Sequence, residues 1–312
     1  MSHPAMGAVL AGLLIAAVPA THALAHAVCG DRVFPPTLVM DDPGMNDEIS
    51  LPTIAHTPIP AANGTPSGSS TSWGFEWDKT IFAAGSDTGV FHNVFGIAVN
   101  GDYISQRGAG QNLNGWDNFT VTLKDQFYCL PEHEFMISAG VIRALGATGS
   151  GQLLGAGIIP HASSTAPTWY VGKGFGDLPI GPLRALAVTG ELGYAISDAP
   201  AVLPGEWRYA WSIQYSMPYL TQHVQALPIP AFFNHLIALV EFSFAAPTGQ
   251  AATGVIAPGI FYEAGSWQVG AEAVIPANAE TRAAQGTGFV VQFHVFLDDL
   301  MPGSLGKPLF SF

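Results

Sequence analysis

Ten ionisable side chains run in phase with the apolar pattern of this chain. Glu76, Asp78, Glu134, Glu191, Glu206, Glu241, Glu263 and Glu272, together with the bases Lys124 and Arg208, occupy the polar phase of segments in which apolar and polar residues alternate. A period of two puts alternate residues on opposite faces of a strand, so these ten share one side of the sheet the segments build. Carboxylates and bases gathered on an inner face either pair across it and stiffen it, or line a water-filled path that favours cations.

Organised catalysis has less support. Beyond residue 25, His occurs singly at 26, 56, 92, 133, 161, 223, 235 and 294, with no HExxH and no Cys/His cluster of zinc spacing. His133 stands between Glu132 and Glu134, but neighbours on a strand point to opposite faces. No Gly-x-Ser-x-Gly elbow is present, and Gly172-x-Gly174-x-Gly176 is too short, with no helix after it, to cradle phosphate. A Ser/His hydrolase stays open as an alternative only because such sites are recognised by geometry and not by spacing. The reading is of a chain that is not an enzyme and needs neither cofactor nor metal. Cys29 and Cys129, in an oxidising compartment, form a disulfide or remain two idle thiols, and their spacing does not choose between these.

Composition narrows the setting of these residues. Charged residues are 11% of the 312, less than half the share of about 25% in a typical soluble domain. The net charge of −13 argues against nucleic acid or an anionic membrane surface as partner. With 19 Phe, 8 Tyr and 7 Trp the chain is too apolar for a solvated coil, and 36 Gly and 24 Pro disfavour long helices. Residues 1–25 read as an export signal: Ala5 to Ala20 carries no polar side chain, and Ala23-Leu24-Ala25 is a small-x-small cleavage site, although no Lys or Arg precedes the run. No later run of about 20 apolar residues could form a membrane helix. Residues 26–71 are rich in turn formers, as in Met40-Asp41-Asp42-Pro43-Gly44, and are expected to form an irregular mouth or plug. Residues 72–297 hold the alternating segments, and 298–312 form a tail.

The segment Glu206–Tyr219 points to the architecture. Trp207, Tyr209, Trp211, Ile213, Tyr215, Met217 and Tyr219 alternate with Glu206, Arg208, Ala210, Ser212, Gln214, Ser216 and Pro218. An unbroken apolar face of that length exceeds a soluble sandwich strand of about five or six residues and suits a tilted membrane strand of roughly 9–11, with aromatic residues at both interfaces. Leu192 and Ile196, Leu123 between Thr122 and Lys124, and Phe289, Val291 and Phe293 repeat the theme. Strands are expected at 73–83, 90–104, 118–128, 134–145, 168–176, 184–197, 206–221, 234–245, 254–264, 266–275 and 287–297. Closure favours an even number, so a twelfth is placed near 152–159, with ten strands as the alternative. Lipid cannot satisfy a strand edge, and the expected fold is all-β: a closed antiparallel up-and-down transmembrane β-barrel.

The strand Phe289-Val290-Val291-Gln292-Phe293-His294-Val295-Phe296, its exit Leu297-Asp298-Asp299-Leu300-Met301-Pro302-Gly303, and Gly172-Lys173-Gly174-Phe175-Gly176-Asp177-Leu178-Pro179 resemble those of uncharacterised proteobacterial outer-membrane β-barrel proteins. These are in turn similar to the transporter family linked to meta-pathway phenol degradation. The likeness covers most of the chain beyond residue 25, in pattern more than in motif. It implies a barrel in the outer-membrane lipid that passes a small molecule, aromatic or hydrophobic. Two alternatives accompany that implication: a structural barrel with a blocked lumen, and a soluble periplasmic all-β binding protein. One departure is that Phe296 does not end the chain, which runs on to Phe312.

Overall fold

The computed structural model describes residues 27–62, 64, 66–84, 93–108 and 112–311; the expected export signal lies outside them. The described chain opens with a small hairpin of β1 (Ala27–Cys29) and β2 (Arg32–Phe34). Then come β3 (Glu48–Ile59), β4 (Gly68–Ala84), β5 (Asn93–Gly108), the short β6 (Leu113–Trp116), β7 (Thr120–Leu130), β8 (Phe135–Ala144), β9 (Ser164–Gly174) and β10 (Leu186–Ser197). The last members are β11 (Glu206–Ser216), β12 (Leu236–Pro247), β13 (Thr253–Glu263), β14 (Trp267–Pro276), β15 (Gly288–Phe296) and the two-residue β16 (Phe310–Ser311).

Twelve of these strands, β3 to β5 and β7 to β15, form one wall in which each pairs antiparallel with the next. β15 pairs back onto β3 from Phe289↔His56 to Phe296↔Glu48, which closes the barrel. β6 continues the ladder of β5 beyond its pairing with β7. The wall begins at Glu48 and ends at Phe296, and these two residues are register partners, so the chain enters and leaves at one rim, here the terminal rim. The opposite one is the distal rim.

Burial follows the expected alternation. On β11, Trp207, Trp211 and Ile213 are exposed on the outer face, whereas Ala210, Ser212 and Gln214 are buried inside. Phe289, Val291 and Phe293 of β15 and Leu192 and Ile196 of β10 likewise face out. Aromatic stacks such as Tyr209–Phe244 and Trp211–Phe242, with centroids 5.4 and 5.1 Å apart, join neighbouring strands across the outer surface. A closed wall with this apolar exterior and a polar interior is a transmembrane barrel, because closure leaves no unpaired strand edge to face lipid.

Two expectations are corrected. The Leu153–Ile159 region is not a strand: Gly151–Gly155 is one turn of helix, with Leu153 tucked inward. The twelfth strand is β3, within the segment expected to stay out of the wall, and β4 starts at Gly68, also inside it. The reason β3 escapes a period-two reading is a bulge. Leu51 and Pro52 together stand opposite Phe75 on one side and Phe293 on the other, so the ladders jump from Ser50 to Thr53. The extra residue switches the outward phase from odd numbers, with Ile49 beside Trp77, to even ones, with Ile54 beside Trp73. Pro52 is tolerated because a bulged residue has no ladder bond to donate.

Candidate functional site

The barrel is filled by its own N-terminal segment. Residues 27–47 turn into the lumen from the terminal rim, reach the middle of the wall near residues 38–43, and return to the rim at Asp47. Ala27, Cys29, Arg32, Phe34 and Met45 are all essentially without exposed surface. Of the segment 26–71, expected as an irregular mouth or plug, residues 27–47 occupy the lumen and the other described residues are wall or turn.

The base of the plug is fixed to the wall in two ways. Cys29 and Cys129 form a disulfide, which joins the β1–β2 hairpin to the end of β7. Arg32, 1% exposed, donates from Nε to Glu134 Oε2 at 3.1 Å, from Nη1 to Ala185 O at 3.3 Å and from Nη2 to Arg184 O at 2.5 Å. Its guanidinium lies 3.6 Å from the centre of the Tyr219 ring. Glu134 receives Arg32 together with Gly176 N at 3.1 Å on one oxygen and Tyr219 Oη at 2.5 Å on the other. Burial of Tyr219 and its bond to that carboxylate push the phenol up to about 12, so it stays a donor throughout the ordinary pH range.

Local backbone serves this cluster. Glu134 does not lie on a strand as expected; it ends the turn after Pro131–His133 in the left-handed region, φ 47° and ψ 45°. A non-glycine residue there costs about 1–3 kcal/mol unless its surroundings determine it, and the three donors on its carboxylate do so. Gly30, at φ +66°, lies so close to Pro131 that a Cβ would sit 2.3 Å from its carbonyl oxygen. The Gly172-x-Gly174-x-Gly176 run also finds its meaning here. A side chain at Gly172 would strike Phe34, one at Gly174 would strike Glu134 and Arg32, and one at Gly176 would strike Tyr219 and Glu134. Alternate glycines on the inner face clear room for the plug base, and no phosphate site is built.

The tip is held differently, by polar side chains of the wall that range from mid-strand Lys124, Glu191 and Glu241 to Gln268 near the terminal rim. Glu241 of β12, with no exposed surface, accepts Leu38 N on one oxygen at 3.0 Å and Val39 N and Met40 N on the other at 2.9 and 3.1 Å. Glu191 of β10 accepts Asp41 N at 3.4 Å. Lys124 of β7 bonds Asp41 Oδ1 at 2.8 Å and Asp42 O at 3.1 Å, with its ammonium 4.7 Å from the Tyr170 ring centre. Gln268 Nε2 donates to Pro36 O at 3.0 Å, and Ser138 Oγ donates to Pro43 O. Buried main-chain groups need partners, and the wall supplies them. Leu38 packs against Ile237, Leu239 and Phe261, which accounts for the apolar residues on the inner phase of β12.

The structure therefore brings Lys124, Glu191 and Glu241 together around the tip, and Glu134 to the base. Glu76 accepts Asn100 Nδ2 at 3.0 Å, and Asp78 and Glu272 are buried on the inner faces of β4 and β14. Glu206 and Arg208 pair with each other at 2.7 Å near the distal rim, where Arg208 is half exposed and the pair is screened. Glu263 stands opposite Gln268 near the terminal rim. Tyr219, expected on the outer face as an interfacial aromatic, is corrected: β11 ends at Ser216 and Tyr219 lies buried in the helical turn after it. Arg32, Gln268 and Ser138 were not singled out from sequence. Asp41 and Asp42 read there only as turn formers, although two acids within an apolar stretch were the available signal.

The seam of the barrel carries one further polar chain. Ser50 Oγ lies 2.7 Å from His294 Nδ1, and His294 Nε2 lies 3.1 Å from Glu48 Oε2. The order is that of a Ser/His/acid triad, but all three residues are 5% exposed or less, and they join the first wall strand to the last. Beside them Lys79 binds Asp47 Oδ1 at 2.7 Å, Leu305 O at 2.9 Å and Lys307 O at 2.7 Å, which gathers the plug exit and the C-terminal tail. The tail ends as β16, parallel to β4 at Phe82 and Ala83.

No protein-family model and no curated protein sequence matches the chain. Among solved structures it is similar to an outer membrane channel from Pseudomonas putida F1, at 10% identity and a TM-score of 0.54, over 85% of this chain and 99% of that one. The translocator domain of the autotransporter NalP from Neisseria meningitidis aligns over 81% of this chain and 88% of its own, at 10% identity and a TM-score of 0.36. The first likeness is one of fold.

Proposed function

We propose that this chain is an outer-membrane channel or transporter for a small molecule, kept closed at rest by residues 27–47. The observation that carries the reading is the division of the plug into a fixed base and a separately held tip. The base has a covalent and a fully buried ionic attachment, whereas the tip has hydrogen bonds to wall side chains, a part-buried ion pair of Asp41 with Lys124 and one apolar contact at Leu38. Displacing the tip alone opens the middle of the lumen while the base stays in place. The similarity to a solved outer membrane channel supports the role. An aromatic or hydrophobic solute follows from the family resemblance, and the apolar floor of Ile237, Leu239 and Phe261 beneath the tip suits one.

The test uses the geometry of the tip itself. Ala27 pairs with Phe34 and lies against Gly44, so the two ends of the tip are close and residues 36–43 can be replaced by Gly-Gly. Reconstituted in planar bilayers, this variant is expected to conduct several-fold more than the parent. It should prefer K⁺ over Cl⁻, because Glu191 and Glu241 lose the main-chain donors they now bind. An inserted variant that conducts no better than the parent would favour a structural barrel with a blocked lumen.

A further inference from the structure

We propose that the mid-lumen of the barrel is a receptor for peptide main chain, and that the tip is its resident ligand. The inference goes beyond the channel reading, since it concerns what the lumen recognises. Five wall side chains, Ser138, Lys124, Glu191, Glu241 and Gln268, come from five different strands and converge on the tip. They meet the carbonyls of residues 36, 42 and 43 and the N–H groups of residues 38, 39, 40 and 41. Only Lys124, at Asp41, also takes a side chain.

Of the other polar side chains of the tip, Thr37 and Asp42 are engaged with the plug segment itself. Thr37 Oγ1 donates to Met40 O at 2.7 Å, and Asp42 Oδ1 accepts Gly44 N at 2.6 Å. They shape the ligand; the wall reads its backbone. A lumen filled for bulk alone is packed with apolar side chains, because a buried carboxylate is costly unless it is fully bonded. Glu241 has no exposed surface; besides its hydrogen bond with Glu272 it accepts three consecutive amides, a pattern that a bent peptide backbone presents. Lys124 adds a preference for an acidic residue next to that stretch. The ligand class is a short bent peptide carrying an acid, whose consecutive amides converge on one carboxylate as in an anion-binding backbone nest.

In the intact chain the tethered tip holds the site at an effective concentration of the order of mM, so the experiment uses the Gly-Gly variant described above. The probe is a synthetic peptide of residues 35–44, acetylated and amidated, followed by calorimetry in detergent and by block of conductance. Saturable one-to-one binding is expected. Alanine in place of Leu38, Val39 or Met40 in the peptide should weaken it by less than about tenfold, whereas N-methylation of Val39 and Met40 should weaken it on the order of 100-fold, since it removes two bonds to a charged acceptor. Glu241→Gln in the barrel should reduce the difference between the parent and N-methylated peptides. Absence of binding at millimolar peptide to the folded, membrane-inserted Gly-Gly variant, or equal binding of the N-methylated peptide, overturns the proposal. Raised conductance without peptide binding would refute this inference alone, and peptide binding without raised conductance would refute the channel reading alone.

Discussion

Arg32→Ala should have little effect on the closed state by itself and a large one once the disulfide is absent. Arg32 is a fully buried cation with one carboxylate, two carbonyls and an aromatic ring as partners. Removing one partner of such a pair leaves Glu134 buried with its charge uncompensated, at a cost of about 3–5 kcal/mol. At about 1.4 kcal/mol per tenfold, docking of the plug base weakens by roughly 10² to 10³·⁵. In the oxidised protein, however, Cys29 cannot leave Cys129, so the weakened base has nowhere to go. Cys29→Ser alone removes the covalent tie and leaves the Arg32 cluster in place. The double variant loses both, and the plug can then swing out about Asp47, where it is continuous with β3 and bound to Lys79. In bilayer recordings each single variant should change the open fraction by less than about tenfold and the double by at least 100-fold, and a reducing agent should convert Arg32→Ala into the double phenotype. Full opening by Arg32→Ala under oxidising conditions, or a double variant as closed as the parent, would refute the two-attachment account.

Two further outcomes follow from the placement of single residues. Ile213, near the middle of β11 and 47% exposed on the outer face, should lose about 2–4 kcal/mol on replacement by Arg; Val202, 84% exposed in a distal-rim turn, should tolerate Arg without measurable loss, and equal costs in urea titrations of vesicle-inserted protein would refute the assigned lipid face. Burial, followed by the nearby Glu48 and Asp299, pushes Asp298 up to about 8; a raised acid favours the docked tail at low pH, and that contribution is lost as pH rises from the ordinary carboxylate range through about 8, so proteolysis beyond Leu300 should be faster at pH 9 than at pH 6 and Asp298→Asn should flatten the difference.

The barrel was legible in the sequence because its strongest signal is local. Trp207, Trp211 and Ile213 face out and Ser212 and Gln214 face in for a reason that acts residue by residue: the pleat fixes the period, and lipid and lumen demand opposite polarity. Wherever the alternation was unbroken, from β8 through β15, the strand and its faces could be read. β3 could not be, because one bulged residue reverses the phase in mid-strand and Pro52 looks like a stop. The Gly-rich Leu153–Ile159 stretch misled for the opposite reason, being apolar without being paired.

The plug depended on long-range geometry. The acidity of the inner face was evident from Glu191, Glu241 and Lys124 alone, but their partners were not, because Asp41 is 83 residues from Lys124 and Leu38 is 203 from Glu241. A turn-rich segment such as Met40-Asp41-Asp42-Pro43-Gly44 has the same composition whether it is solvated or buried. On the strands without a bulge, sequence alone determined which residues face lipid and which face inward, since that requires only neighbours two apart. Closure of the barrel determined what the inward residues do, because only a closed wall of this size sets five strands around one short peptide and turns what looked like a charged lining into its binding site.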